Sequence, residues 1–306
     1  MAANAAMAQQ YPDRSIRIIS PFPSGGSVDL IGRMVASKLT EIVGQQVIVE
    51  NRSGASGNIG TEVVMRSAPD GYTLLVHTIP FVANRFLYNK LPYDPIADFT
   101  PVMLVSSSPS LLAVHPSMPV RSVKELIALA RARPGELNYG TAGLATNPHI
   151  VGELLNLMGK TNIIAVHFKG GGPALIAAIS GEVGIAFTNF SETSAFVKAG
   201  RLRGLGVSSP KRVAVMPDLP TIAETLPGFE FTTWQGILAP KNTPRPIVAT
   251  LNERLKKAMA APDQVKRFND RGLDVIASTP EEFGAHLQAE YKKWGRVIKE
   301  RGMKAD

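Results

Sequence analysis

The sequence predicts an α/β protein of mainly parallel sheets divided into two domains. Three observations carry this. Short apolar, β-rich runs alternate with helical patterns over most of the chain. A strand, a glycine-rich turn and a helix follow one another in three places. The 306 residues exceed what one core usually supports.

The strands are expected at 16–19, 46–50, 73–77, 102–105, 111–115, 163–166, 183–187 and 202–208, each a short run rich in Val, Ile and Leu bounded by Gly, Pro, Asn or Ser. Between them lie helices such as that carrying Val28, Ile31, Met34, Val35 and Leu39, whose spacing of three and four places them on one face. The pattern pauses at Ser106 to Pro109 and a further strand follows "GFEFTTWQGILAP", so the chain is expected to cross between domains at both points. The first domain would then comprise residues 11–106 and 236–306, and the second, inserted, residues 107–235. Two crossings would form a hinge.

Composition excludes several classes. No apolar run approaches the roughly 20 residues of a membrane span. Cysteine is absent, which removes disulfides, thiolate metal sites and a cysteine nucleophile. Thirty-three Lys and Arg against 25 Asp and Glu give +8, but the excess is dispersed. Its densest cluster, Lys292, Lys293, Arg296 and Lys299 beside Glu290 and Glu300, reads as a solvated helix face and not as a nucleic-acid patch. The leader "MAANAAMAQQ" is Ala-rich with a small-x-small pattern at Ala6 to Ala8, and residues 1–10 are read as the remnant of an export signal or an added leader.

The three glycine turns are "PFPSGGSVDLIGRM", "LNYGTAGLATNPHIVGELLNLM" and "AVHFKGGGPALIAAISGEV". Each opens backbone N–H groups at a helix start beyond a strand's carboxyl end. A P-loop would need a Lys beside Gly25 and Gly26, and none is there; in "GASGNIG" the spacing of Gly54, Gly57 and Gly60 is wrong for a dinucleotide fingerprint. A carboxylate suits the turns better, because several N–H donors and a hydroxyl satisfy it without extra countercharge. Ser24, Ser27, Thr141 and Thr146 supply hydroxyls beside Gly25, Gly26 and Gly143, and Asp29 in the first helical turn suits the helix dipole and is placed to fix the loop. His149 is placed either to touch a ligand or to serve structurally at a helix start. Phe22, Phe81, Phe168 and Phe190 adjoin these loops, with ring stacking on a ligand and core packing both open, and Trp234 reads as hinge or interface packing. The same turns also read as ordinary strand-to-helix connections in which glycine serves geometry alone. No G-x-S-x-G elbow, paired metal-ligand histidines or closely spaced carboxylate pair points to catalysis. No cofactor is expected.

"SIRIISPFPSGGSVDLIGRMVASKL", "VIVENRSGASGNIGTEVV", "APDGYTLLV", "LPYDPIADFTPV", "SVKELIALARARPGELNYGTAG" and "FKGGGPALIAAISGEV" together resemble the periplasmic solute receptors of tripartite tricarboxylate transporters, the Bordetella uptake gene family, over residues 13–304. The resemblance implies a type II periplasmic binding protein of "Venus flytrap" form, with two mixed sheets flanked by helices and two hinge crossings. It implies a monomer that closes on a small organic carboxylate and hands it to membrane permease subunits, with no nucleic-acid partner. In such receptors the loops matching Pro23, Ser24, Gly25, Gly26 and Ser27, beside Phe22, and Thr141, Ala142 and Gly143, hold a ligand carboxylate, often through ordered waters. Thr78, Asn147, His149, Lys169 and Gly170 match further positions, Lys169 acting through its backbone.

Two departures bear on the ligand. Many relatives carry a small polar run after the third strand, where this chain has Ile79, Pro80 and Phe81. Many relatives also carry Asp-Asn where this chain has Thr188 and Asn189, so an ammonium group would lack its counter-charge. A di- or tricarboxylate, including an aromatic dicarboxylate, is expected over an amino acid. An extracytoplasmic sensor for a two-component system and an α/β hydrolase are the alternative readings.

Overall fold

Alternating apolar runs and amphipathic stretches build sheet and helix in strict succession along much of the chain. The computed structural model describes residues 11–304. The elements run β1 (Ile16–Ser20), α1 (Ser27–Val43), β2 (Val47–Asn51), a 3-10 turn (Ala55–Gly57), α2 (Asn58–Met65), β3 (Thr73–His77), α3 (Pro80–Leu87) and β4 (Phe99–Val114). There follow α4 (Val123–Ala132), β5 (Asn138–Thr141), α5 (Asn147–Gly159), β6 (Ile164–His167), α6 (Gly171–Ser180), β7 (Ile185–Asn189), α7 (Phe190–Lys198) and β8 (Arg203–Val207). A second 3-10 turn (Ile222–Glu224), β9 (Thr232–Pro240), α8 (Arg245–Ala260), α9 (Pro262–Asn269), β10 (Asp274–Val275) and α10 (Pro280–Arg301) complete the chain. The leader read as an export-signal remnant lies outside the described residues.

The chain divides into two compact units. The first takes residues 11–106, then Trp234–Phe268 and residues 275–304; the second takes Ser107–Thr233 and Asn269–Asp274. Expectation placed Asn269–Asp274 in the first domain. Within the second unit Gly272 packs so closely on the Phe190 ring that a Cβ there would come within 2.4 Å of it.

In the first unit the strand order is β2-β1-β3-β9-β4. β1 lies parallel to both β2 and β3, and β9 runs antiparallel to β3 with Leu75 opposite Leu238. Three parallel strands therefore deliver their following loops to one sheet edge. α1 covers the sheet with Ile31, Met34, Val35 and Leu39, all essentially without solvent contact, and ends at Gly44, whose left-handed φ of 70° lets its N–H reach Thr40 O.

A buried polar knot sits in the same unit. Trp234 and Trp294 are each at most 1% exposed, and both indole N–H groups donate to Glu290 Oε2, at 2.9 and 2.7 Å. Glu290, expected on a solvated face, is therefore turned inward, and Trp234 belongs to this core. Phe283 and His286 pack edge-on against the Trp234 ring.

In the second unit β5 lies between β6 and β7, parallel to both, and the second half of β4 runs antiparallel to β7 and β8. The loops after β5, β6 and β7 again leave the same sheet edge. Beneath α6 and α7 a core forms from Leu111, Ala113, Ala178, Val183, Ala186, Phe190 and Val207, with Phe168 packed against it. Phe168 and Phe190 thus serve packing. β4 is a single 16-residue strand and not two. The expected break at Ser106 to Pro109 falls where the strand passes from one unit to the other, and the ladder with β7 resumes at Ser110, so Pro109 has no rung of that ladder to break.

Candidate functional site

The first unit presents its β1 loop as a latched structure. Residues 21–26 leave β1, Gly25 takes a left-handed φ of 85°, and Gly26 in extended geometry starts α1. Pro23, Ser24 and Gly25 are exposed, while Ser27 and Asp29 are buried. Asp29 Oδ2 accepts from Gly25 N–H and Arg33 Nε, both at 3.0 Å, and Oδ1 accepts from Asn51 Nδ2 at 2.8 Å. Asn51, at the end of β2, also donates to Phe22 O at 3.0 Å and accepts from Arg33 Nη2 at 3.0 Å. Burial opposes ionisation of Asp29, but the Arg33, Gly25 and Asn51 donors outweigh it and hold the carboxyl below its usual range. Asp29 thus faces inward as the loop's anchor.

Two further loops share that edge. After β2, Gly54, Ala55, Ser56 and Gly57 all have positive φ, from 46 to 136°. A buried amide network fixes this run: Asn84 Nδ2 donates to Ser56 O and to Asn58 Oδ1, and Tyr93 OH donates to Asn58 Oδ1 at 2.9 Å. Gly60 lies against Pro21 and Arg52 O so closely that a Cβ would come within 2.8 Å of backbone on both sides. The "GASGNIG" glycines are therefore there for left-handed turns and close backbone approach.

After β3, His77 Nδ1 lies 2.8 Å from Thr78 N and 3.1 Å from Thr78 O, so the ring is held against the backbone of the next residue. His77 has no solvent contact, and burial pushes its pKa down to about 3. Thr78 is buried beside it. Phe22 packs edge-on to the His77 ring at 5.4 Å. Phe81, a candidate ligand contact from sequence, is instead a core residue: it has no solvent exposure and is enclosed by His77, Tyr93 and Phe99, because α3 turns it back beneath the sheet edge.

The second unit offers a matching turn. Thr141 ends β5, and its hydroxyl lies 2.7 Å from His167 Nδ1 at the end of β6. Gly143 takes φ 122° and Ala145 φ 64°, and Thr146 Oγ1 donates to Gly143 O at 2.7 Å. Ala145 N–H donates to His149 Nδ1 at 3.1 Å. Ala142 and Gly143 are partly exposed, whereas Thr141, Asn147 and His149 are buried. Burial, then the neighbouring His167, lowers the His149 pKa to about 4.

Lys169 is exposed at the third glycine turn, and Gly170 takes φ 117° to start α6. Thr188 and Asn189 end β7: Thr188 is tied by its hydroxyl to Thr193, and Asn189 starts α7 and donates to Glu192 Oε1 at 3.4 Å. The Glu192 carboxylate lies near Gly171, 3.3 Å from where a Cβ would stand, so this turn already faces an internal negative charge.

Within each unit, then, the candidate residues other than Phe81 gather at one carboxyl sheet edge. Sequence reasoning missed Asn51, Arg33, Asn84 and His167, which anchor the loops from neighbouring strands and helices. Among the described residues no group of three or more His, Asp or Glu side chains is placed to hold a metal ion, and no helix is long and apolar enough to cross a membrane.

The buried histidines predict acid sensitivity. His77 and His149 titrate near 3 and 4 in the fold against 6.5 ordinarily, so below about 6.5 the unfolded chain takes up protons that the folded chain refuses. Their contribution is whole above that value and is lost as pH falls toward 4 and then 3. Calorimetry should show Tm falling from about pH 7 to about pH 4.5. A Tm that is level or rises over this interval contradicts the assignment.

A mixed α/β fold whose loops collect at carboxyl strand ends is the architecture of periplasmic binding proteins, and solved structures of that class superpose on this chain. Rhodopseudomonas palustris Rpa4515, solved with adipate, aligns with a TM-score of 0.92 at 36% identity over 96% of this chain and 99% of that one. MatC of the same organism, solved with bound malate, aligns with a TM-score of 0.88 at 32% identity over 94% and 100%. BugT of Bordetella pertussis is 34% identical over 97% of this chain and 92% of that protein. Residues 31–303 match the model of the tripartite tricarboxylate transporter family receptor, and the chain belongs to that family.

Proposed function

We propose that this chain is a periplasmic receptor that captures a small di- or tricarboxylate, aromatic dicarboxylates included, and delivers it to the permease of a tripartite tricarboxylate transporter. It acts as a monomer and without catalysis. One ligand carboxylate is taken by backbone N–H groups and hydroxyls of residues 23–27, and the turn at 141–143 contributes from the second unit.

The observation that carries this reading is the pair of glycine-opened, internally latched turns, one per unit, each at a carboxyl sheet edge. Rpa4515 with adipate and MatC with malate support the ligand class.

Calorimetric titration against aliphatic and aromatic mono-, di- and tricarboxylates tests it. Ser27→Ala and Thr141→Ala should each weaken binding by about 1–3 kcal/mol, the range for a lost hydrogen bond to a charged group. Gly26→Ala should weaken it more while leaving Tm in place, since a Cβ there meets only Pro23 O at an ordinary 3.6 Å inside the loop. Unchanged affinity in all three variants removes the site; conversion of an acid to product by the isolated protein removes the receptor reading.

A further inference from the structure

His149 sits in the first turn of α5, but its ring turns back to the loop that precedes the helix. Its Nδ1 accepts the Ala145 N–H at 3.1 Å, which fixes the neutral ring as the Nε2–H tautomer. Ala145 is a non-glycine residue held at φ 64°, a conformation that needs support from its surroundings. The same turn is pinned on its other side by Thr146 to Gly143 O and by Thr141, which His167 contacts. The two imidazoles meet edge to face with centroids 4.9 Å apart. A proton on His149 Nδ1 would set two N–H donors against each other at Ala145, and a proton on His167 as well would add like-charge repulsion.

We propose that His149 is a positioning residue whose neutral ring holds the turn at residues 141–146 in its carboxylate-binding form, and that its protonation releases that turn and lowers ligand affinity in acid. The proposal rests on the receptor reading for its consequence, though not for the loop chemistry. The titratable groups facing His149 are His167 on β6, Glu153 one turn further along α5, and Tyr139 on β5, whose hydroxyl lies 3.2 Å from both His149 O and Glu153 Oε1. Glu153 favours the proton, while burial and His167 oppose it, and the balance puts the change at about pH 4. The neutral form therefore prevails at neutral pH and is lost as pH falls through that value.

Asparagine separates positioning from mere packing. Its Oδ1 occupies the place of Nδ1 on Cγ and accepts the Ala145 N–H, yet it does not titrate. The first measurement is the hydrogen-exchange protection factor of the Ala145 amide in the full ligand-free chain, followed by NMR from about pH 7 to about pH 3.5, with Leu112 of β4 as reference. In the wild type Ala145 should lose protection about tenfold or more on acidification, equivalent to one lost hydrogen bond, while Leu112 keeps its own. H149N should stay protected throughout, and H149A should lack protection already at neutral pH. Equal pH profiles in wild type and H149N, or constant protection in the wild type, overturn the proposal.

The second measurement is affinity for adipate and malate at about pH 7, where both acids are ionised. H149A should bind about tenfold more weakly than the wild type, and H149N should recover most of that loss. Undiminished affinity in H149A overturns the positioning role. Binding of neither acid by the wild type refutes capture of these carboxylates, and with it release in acid, while the exchange profiles still decide the loop chemistry.

Discussion

Replacing Glu290 by leucine is expected to destabilise the protein by about 2–6 kcal/mol, because it strands two buried indole N–H groups at a cost of about 1–3 kcal/mol each. Trp234 and Trp294 donate to the same oxygen, Oε2, and neither ring has solvent to turn to. Leucine relieves the burial of a carboxylate, which offsets part of the loss, but it offers no acceptor. Glutamine keeps an acceptor oxygen there, so Glu290→Gln should lose less than half as much. Chemical denaturation of the three proteins decides the matter: a leucine variant within about 1 kcal/mol of the wild type would mean that the indoles find other partners.

Asp29→Ala should have the next largest effect, and it should appear in ligand affinity as well as stability. Three donors lose their acceptor: Gly25 N–H, Asn51 Nδ2 and the Arg33 guanidinium. Arg33 has 51% side-chain exposure and is hydrated when freed, so its share is discounted, and the total is about 2–4 kcal/mol. The stability order should be Asp29→Ala below Asn51→Ala below Arg33→Ala, the last within about 1 kcal/mol of the wild type. With the latch gone, Gly25 and Gly26 no longer hold the N-terminus of α1 open, and affinity for whichever acid binds the wild type should fall at least tenfold, as about 1.4 kcal/mol of lost preorganisation would give. An Asp29→Ala protein that keeps both stability and affinity would show the network to be incidental. Since the Asp29 carboxyl is held below its usual range, its contribution is present above about pH 4 and is lost on further acidification.

Much of the fold is legible in the residues. Thr73–His77 and the face of α1 announce themselves because each apolar position is also a buried one. β5 is different: Tyr139 and Thr141 favour a strand but Asn138 and Gly140 do not, and the four-residue segment is a strand because β6 and β7 flank it. β4 reads as two strands because prolines and serines look like a break, whereas the chain there only changes ladder partners.

The candidate loops were visible as glycine-rich turns, and which loop residue faces outward was not. Asp29 and Asn51 stand 22 positions apart and join through parallel pairing of β1 with β2, a relation that no local pattern encodes. His167 reaches Thr141 in the same way through β6. Phe81 misled because a ring beside a loop is equally ready to line a pocket or to fill a core, and the direction of α3 decides between them.

The place of β9 between β3 and β4 has a consequence for the order in which the molecule is built. Synthesis delivers β3 and the first half of β4 early, but the strand that unites them arrives only after residues 107–233 have been made. Throughout that interval the growing polypeptide carries two unzipped borders with free N–H and C=O rows, open to mispairing. The nearly contiguous second unit is free to mature first, while the first waits for Trp234 and the strand that carries it.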